Sequence, residues 1–246
     1  MTKISQDLHV GNLIAKHMRL WEAQREHRQQ MERPSTTQPP ETHGFYLSFA
    51  REYGSGGLEI SRRVAEKLGW QHFDHEVVEA IASETKTREE LVALFDESVR
   101  SALETYVHNL FTLQTWDSTH YVFHLVKTLS AIARHGNAVI IGHGANFVLP
   151  PQYGLRVRVV ASKSVCVRNY MQLRGVTEAE AVREVTRRDS EYAAFIRRHF
   201  HRDIADPLAY DLILNAEHLN IDAAVEIVIR TAESKLQANL KAAGSK

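Results

Sequence analysis

The sequence predicts an α/β fold, a parallel sheet flanked on both faces by helices. Three observations predict it. Strand-like segments recur near residues 45–50, 138–142, 155–161 and 211–215, and the one over 138–142 is the short apolar run expected of a strand buried in a parallel sheet. Between them lie longer stretches with apolar residues at three- and four-residue spacing, the period of an amphipathic helix. The first segment leads directly into a glycine-rich turn, Gly54-Ser55-Gly56-Gly57, and then into a helical pattern. Strands that alternate with helices need crossover connections, which cover a parallel sheet from both sides.

Taken in order, residues 8–31 form a helical arm, with Val10, Ile14, Met18 and Trp21 at helical spacing. Residues 33–43 are rich in proline and polar side chains and read as a linker. The main domain opens at Gly44, where Phe45, Leu47 and Phe49 alternate with smaller or more polar neighbours. After the glycine turn, Ile60, Val64 and Leu68 recur one turn apart, and Gly69 is placed to end that helix. Trp70 to Phe73 is a short second strand, and helical patterns fill most of 75–135. Ala138 to Ile141, stopped by Gly142, and Leu155 to Ala161 are the next strands. Ser162 is placed to cap the helix that follows. Thr177 with Glu180 makes a capping-box pattern that starts a long helix near 178. A last strand spans Asp211 to Asn215, and a helix follows from about 221 to 240. The expected organisation is therefore an arm and linker over 1–43 and one nucleotide-binding-type domain over 44–246.

Composition narrows the function. The 246 residues carry 30 basic and 30 acidic side chains, so a broad electrostatic surface for nucleic acid has no support. One cysteine, Cys166, precludes an internal disulfide and fits a reducing compartment. The first residues lack the apolar core of a secretory signal, and no run reaches the roughly 18–20 apolar residues of a membrane span. The expectation is a cytoplasmic protein with neither membrane nor nucleic acid as partner. The N-terminal helix has two readings, an arm packed on its own chain or a surface for homodimerisation.

A strand, a glycine turn and a helix start together suit phosphate. The turn exposes backbone N–H groups, and the helix N-terminus adds positive potential. The full P-loop pattern is G-x-x-x-x-G-K-[ST]. Here Arg51 stands at the first glycine, only Gly56 matches, Gly57 replaces the lysine, and Leu58 replaces the magnesium-binding hydroxyl. Loss of one fixed donor of this kind costs roughly 100- to 1000-fold in rate. Arg51 is the nearest replacement cation.

The stretch Ser48 to Ile60 resembles the opening of the cytidylate kinase-like family, whose members similarly carry a GSGG turn without the lysine. The resemblance continues at Leu68-Gly69, Phe73 to Glu76, Ile141 to Asn146, Arg187-Arg188-Asp189, and Asp206-Pro207 with Tyr210 to Asn215. It implies a P-loop kinase fold and transfer of the ATP γ-phosphoryl group to a nucleoside monophosphate such as CMP. It places the ATP phosphates on Gly54, Ser55, Gly56, Gly57 and Leu58. The acceptor falls near Asp74, Gly142, His143, Gly144 and Asn146. His143 stands where such kinases usually have an arginine that grips the acceptor phosphate.

Residues 183–202 hold Arg183, Arg187, Arg188, Arg197, Arg198 and Arg202 against three acids. Mobile arginines stabilise charge on a transferred phosphoryl group, so this segment reads as a lid with Arg187, Arg188 and Arg197 as catalytic candidates. The competing reading is a solvated helix face with pairs such as Arg187–Glu191. Groupings such as His72, Asp74 and His75, or His199, His201 and Asp203, match no zinc spacing, so no protein-bound metal is expected. Magnesium would arrive with ATP. Cys166, between two valines, is expected to be buried. Two alternatives to a monophosphate kinase remain: a nucleotide sensor that no longer turns over, and a small-metabolite kinase of the same fold.

Overall fold

The computed structural model describes residues 3–31, 44–114 and 119–244. The element order is α1 (Lys3–Met31), β1 (Tyr46–Arg51), α2 (Gly57–Leu68), β2 (Gln71–Phe73), α3 (His75–Ser83), α4 (Thr85–Ala93), α5 (Glu97–Gln114), α6 (His120–His135), β3 (Ala138–Ile141), α7 (Ala145–Val148), β4 (Gly154–Val160), α8 (Lys163–Arg174), α9 (Glu178–Phe200), β5 (Leu212–Asn215) and α10 (Ile221–Gly244), with single 3-10 turns at Pro151–Tyr153 and Pro207–Ala209. The expected strands and the major helices are present. The four-residue α7 and the 3-10 turns carry no period long enough to be read from sequence. The proline-rich segment over 33–43 lies outside the described residues.

The chain divides into two compact units, Met1–Gly44 with Phe73–Gly136, and Phe45–His72 with Asn137–Lys246. The first is helical. Its buried side chains include Val77, Val78 and Ile81 of α3, Leu91 of α4, Leu103 and Val107 of α5, and Val122, Leu125 and Leu129 of α6. Trp21 of α1 is 1% exposed and stacks on His135 at 4.4 Å and on Phe73 at 5.5 Å between ring centroids. Burying a side chain of that size is among the larger single contributions available to a helix, so α1 packs on its own chain at this point.

The second unit is built on a sheet of order β2-β3-β1-β4-β5. The pairs β1–β3, β1–β4 and β4–β5 are parallel, with Phe49 opposite Ile141, Ala50 opposite Arg158 and Val157 opposite Leu212. Central strands are buried on both faces, which is why β3 reads as an unbroken apolar run. Ile60 and Val64 of α2 and Val225 and Val228 of α10 close one core with Leu47, Val139 and Val157. Each such side chain contributes about 1.5–3 kcal/mol on burial. Among the described residues no helix is long and apolar enough to cross a membrane.

Local signals resolve as read, with one difference. Thr177 and Glu180 form the reciprocal capping box of α9, and Gly69 ends α2 at φ +65°. Ser162 stands at the N-cap of α8 but makes no side-chain cap; its hydroxyl pairs with Ser164 instead.

The neighbouring strands β1 and β4 send the chain in opposite directions. From β1 the chain proceeds to β2, and from β4 to β5, on the other side of the sheet. In open α/β sheets, ligands bind at the carboxyl ends of strands at such a switch point.

Candidate functional site

The glycine turn is shaped by close packing. Gly54 has φ +92°, and a Cβ there would lie 2.3 Å from the carbonyl oxygen of Cys166, so no other residue fits without displacing α8. Asn169 of α8 donates its amide to the Gly54 carbonyl at 2.9 Å. The Ser55 N–H closes the turn on the Glu52 carbonyl at 3.1 Å. Gly56, at φ +87°, is the N-cap of α2 and gives no side-chain cap. The first N–H groups of a helix have no partner within it. Of these, the Gly57 N–H makes a long 3.4 Å contact with the Ser55 hydroxyl. Leu58 is 44% exposed and offers no oxygen.

Arg51 ends β1. Its guanidinium lies over the Tyr53 ring, 5.1 Å from the centroid, and that of Arg188 from α9 lies 5.3 Å from the same centroid. Burial holds the Arg51 pKa below its ordinary value, and its Nε is buried with no hydrogen-bond partner among the described residues. Beside it, the Tyr53 N–H donates to Asp189 Oδ1 at 2.8 Å. Burial raises the Asp189 pKa, opposed by that hydrogen bond. One aromatic ring therefore carries two arginines, and α9 is tied to the backbone of the glycine turn.

A second turn follows β3. Gly142, His143 and Gly144 all have positive φ, at +86°, +56° and +71°. For His143 this is a costly backbone conformation, and its side chain is buried. A Cβ on Gly144 would meet Phe200 at 2.6 Å and Ile196 at 2.9 Å, so glycine allows α9 to lie against this turn. The Gly144 N–H donates to the Tyr192 hydroxyl at 3.3 Å. Asn146 is buried, with its side chain beside the Tyr210 hydroxyl.

The structure thus brings Arg51, the 54–58 turn, Arg188, the 142–144 turn and Asn146 to the carboxyl ends of the second unit's strands. Arg187 is elsewhere on α9, exposed and bound to Glu184 and Glu191 at 2.7 Å each. Arg187 and Arg188 together hold the Glu184 carboxyl down to about 2. Arg197 is exposed on the same helix. Asp74 belongs to the first unit, where its carboxylate caps α3 by accepting from the Val77 N–H at 3.0 Å.

Sequence reasoning missed Arg158, Glu52, Tyr192 and Tyr210 as site residues. Arg158 of β4 is 8% exposed. Its Nη2 lies 3.5 Å from Glu52 Oε1 and its Nη1 3.4 Å from the Tyr210 hydroxyl. A charged residue in an otherwise apolar strand was the available signal. Arg156, two residues before, gives the same signal and is a surface ion pair with Asp211.

Comparison with known proteins bears on this arrangement. In sequence, no curated protein matches the chain. Among solved structures, one of an uncharacterized protein from Eubacterium ventriosum matches with a TM-score of 0.54 at 15% identity, covering 77% of this chain and 99% of that one. Shikimate kinase from Bacteroides thetaiotaomicron matches with a TM-score of 0.40 at 16% identity, covering 76% and 97%. At such identity the likeness is one of fold alone. Residues 47–218 match the model of the cytidylate kinase-like family. That is well over half of the chain, and the chain belongs to this family, with an α/β fold.

Proposed function

We propose that this member of the cytidylate kinase-like family transfers the γ-phosphoryl group of ATP to a nucleoside monophosphate, CMP being the acceptor the family suggests, through a P-loop that has lost its lysine. The observation that carries the reading is the pair of guanidinium groups, Arg51 and Arg188, on the Tyr53 ring beside the uncapped start of α2. The donor set fits a polyphosphate. The N–H groups of a helix start, and a buried arginine Nε with no hydrogen-bond partner among the described residues, are what an anion satisfies. A magnesium ion finds no hydroxyl at Leu58, and the Ser55 hydroxyl is buried within the turn, so the ion would be held by phosphates and water.

ATP supplies the phosphoryl group; the protein positions and neutralises. The 54–58 turn orients the polyphosphate, Arg51 stands in for the lysine, and Arg188 offsets charge that develops on the transferred group. No covalent intermediate on the protein is required.

The absence of both lysine and hydroxyl favours a second reading, a nucleotide-binding protein without turnover. One experiment separates the two. Purified protein is titrated with ADP and, in parallel, incubated with ATP-Mg and each monophosphate while ADP release is followed. Turnover with CMP supports the kinase; tight ADP binding with no turnover for any acceptor removes it. Arg51→Ala should weaken ATP binding roughly 10- to 100-fold, the range for a lost charge-assisted hydrogen bond. An unchanged affinity would refute its role.

A further inference from the structure

His120 and His124 sit one turn apart on α6, within the helical unit and away from the histidine groupings near residues 72–75 and 199–203. Side chains four residues apart on a helix share a face. His120 is exposed and His124 half-buried. Their Nε2 atoms lie 2.9 Å apart. Their rings meet at 79° with centroids 4.1 Å apart.

Two nitrogens this close share either a proton or an ion, and the distance between the rings separates the cases. An in-line N–H···N hydrogen bond of this length would hold the centroids about 5 Å apart. Rings whose nitrogens converge on one ion stand closer, about 4.5 Å for metal–nitrogen bonds of about 2.0–2.1 Å. The observed 4.1 Å fits nitrogens aimed at a third point. The nitrogen spacing then selects the ion. Two ligands at that bond length stand about 2.9 Å apart at a right angle and about 3.4 Å apart at the tetrahedral angle. The 2.9 Å seen here is the right-angle value. It suits the tetragonal preference of Cu2+ and Ni2+ and not the tetrahedron of Zn2+.

Protonation points the same way. A ligating imidazole must be neutral. Burial, with Arg88, His120 and Lys127 nearby, holds the His124 pKa below its ordinary value. Those cations also oppose a metal ion, but both are engaged. Arg88 donates to the Ala82 carbonyl at 2.6 Å and the Thr85 hydroxyl at 3.2 Å, and Lys127 pairs with Glu104 at 3.4 Å. The hydrogen bond made by one ring nitrogen sets the proton on the other. His124 Nδ1 is buried with no hydrogen-bond partner among the described residues, so no donor there holds the proton on Nε2. Among the described residues no third histidine, cysteine or carboxylate joins the pair, which leaves the remaining positions to water.

We propose that His120 and His124 form a two-histidine site for a divalent transition ion of tetragonal preference, Cu2+ or Ni2+. The ion would clamp the first turn of α6 to the second. That helix start is otherwise capped by Thr119, whose hydroxyl accepts from the Val122 N–H at a long 3.4 Å.

The test is calorimetric titration of the untagged full chain with Cu2+, Ni2+ and Zn2+ in turn, near neutral pH, for wild type, His120→Ala and His124→Ala. The chain has 14 histidines, so the readout is the difference between wild type and variant, not total uptake. Wild type should hold one ion, tightest for Cu2+, then Ni2+, then Zn2+, that each variant loses or binds at least about 10-fold more weakly, since even an outer-shell partner is worth 10- to 100-fold in metal affinity. Identical titrations for wild type and His120→Ala would overturn the proposal. So would a variant-sensitive site that takes Zn2+ more tightly than Ni2+, because the right-angle spacing would then not govern. If His124→Ala fails to fold, His120→Ala, which alters an exposed ring, carries the test alone. Thermal melts give a second reading. An ion bound only by the folded chain raises its melting temperature, so Ni2+ should raise wild type above His120→Ala, and equal shifts would refute the site.

Discussion

Replacing Gly54 and Gly56 separately by alanine should give opposite kinds of damage, although the two glycines share nearly the same backbone angle. At φ +92° and +87°, each alanine pays a left-handed strain of about 1–2 kcal/mol. Beyond that they differ. The Gly54 Cβ would sit 2.3 Å from the Cys166 carbonyl oxygen, 2.9 Å from its carbonyl carbon and 3.0 Å from its Cα. These are backbone atoms at the start of α8 and cannot swing aside, so overpacking adds about 1–3 kcal/mol. The Gly56 Cβ would meet nothing within 4 Å. Gly54→Ala should therefore cost about 2–5 kcal/mol and Gly56→Ala about 1–2. For a chain of this size, each kcal/mol moves the melting temperature by about 2–4 °C. Thermal melts should rank wild type above Gly56→Ala above Gly54→Ala. ADP titration should show the other half of the pattern: Gly56→Ala, although folded, obstructs close approach of an anion to the start of α2. Equal melting temperatures for the two variants would refute the packing argument. Unchanged ADP affinity in Gly56→Ala would refute the cradle.

Two further outcomes are expected. Asp211 is partly buried, which raises its pKa, but Arg156 and Lys235 outweigh that and hold it down to about 2. A carboxylate depressed in the folded state stabilises above its unfolded pKa, near 3.9, and loses that contribution as the pH falls through the folded value. Asp211→Asn should cost about 2 kcal/mol at pH 7, and the difference from wild type in urea titrations should shrink between about pH 4 and pH 2; a pH-independent difference would contradict the ion-pair account. The Cys166 thiol is pushed up to about 12 by burial, so it should resist a thiol reagent at pH 8 in the native protein and react fully in denaturant. Rapid native labelling would show that α8 is not packed as described.

What could be read from the sequence was whatever depends on near neighbours. The capping box at Thr177 and Glu180 needs three residues, and the glycine turn needs four. The apolar run of β3 announces a central strand because both its faces are buried. The site's arginines could not be sorted this way. Arg187 and Arg188 are adjacent in sequence but about 100° apart around α9; both reach Glu184, but Arg187 also meets Glu191 while Arg188 lies over Tyr53. Arg156 and Arg158 alternate with valine and look equivalent. Their difference is set by Asp211 and Tyr210, 55 and 52 positions away, at distances no local pattern spans. Asp74 carried the motif expected of an acceptor contact, and the role seen for it in the fold is that of a helix cap.

Helix α9 touches both turns of the site, and it does so along one stripe. Asp189 holds the Tyr53 amide, Tyr192 meets the Gly144 amide, and Ile196 and Phe200 crowd Gly144 itself. These positions recur every three or four residues, over about 16 Å of helix axis at 1.5 Å per residue. The helix is thus a ruler laid across two loops that the chain makes some 90 residues apart. Their spacing is set by the pitch of α9 and not by their own short sequences. Adding one residue to that helix between Asp189 and Tyr192 would turn everything beyond it by about 100°. Tyr192, Ile196 and Phe200 would then lift off the second turn, while Asp189 stayed on the first.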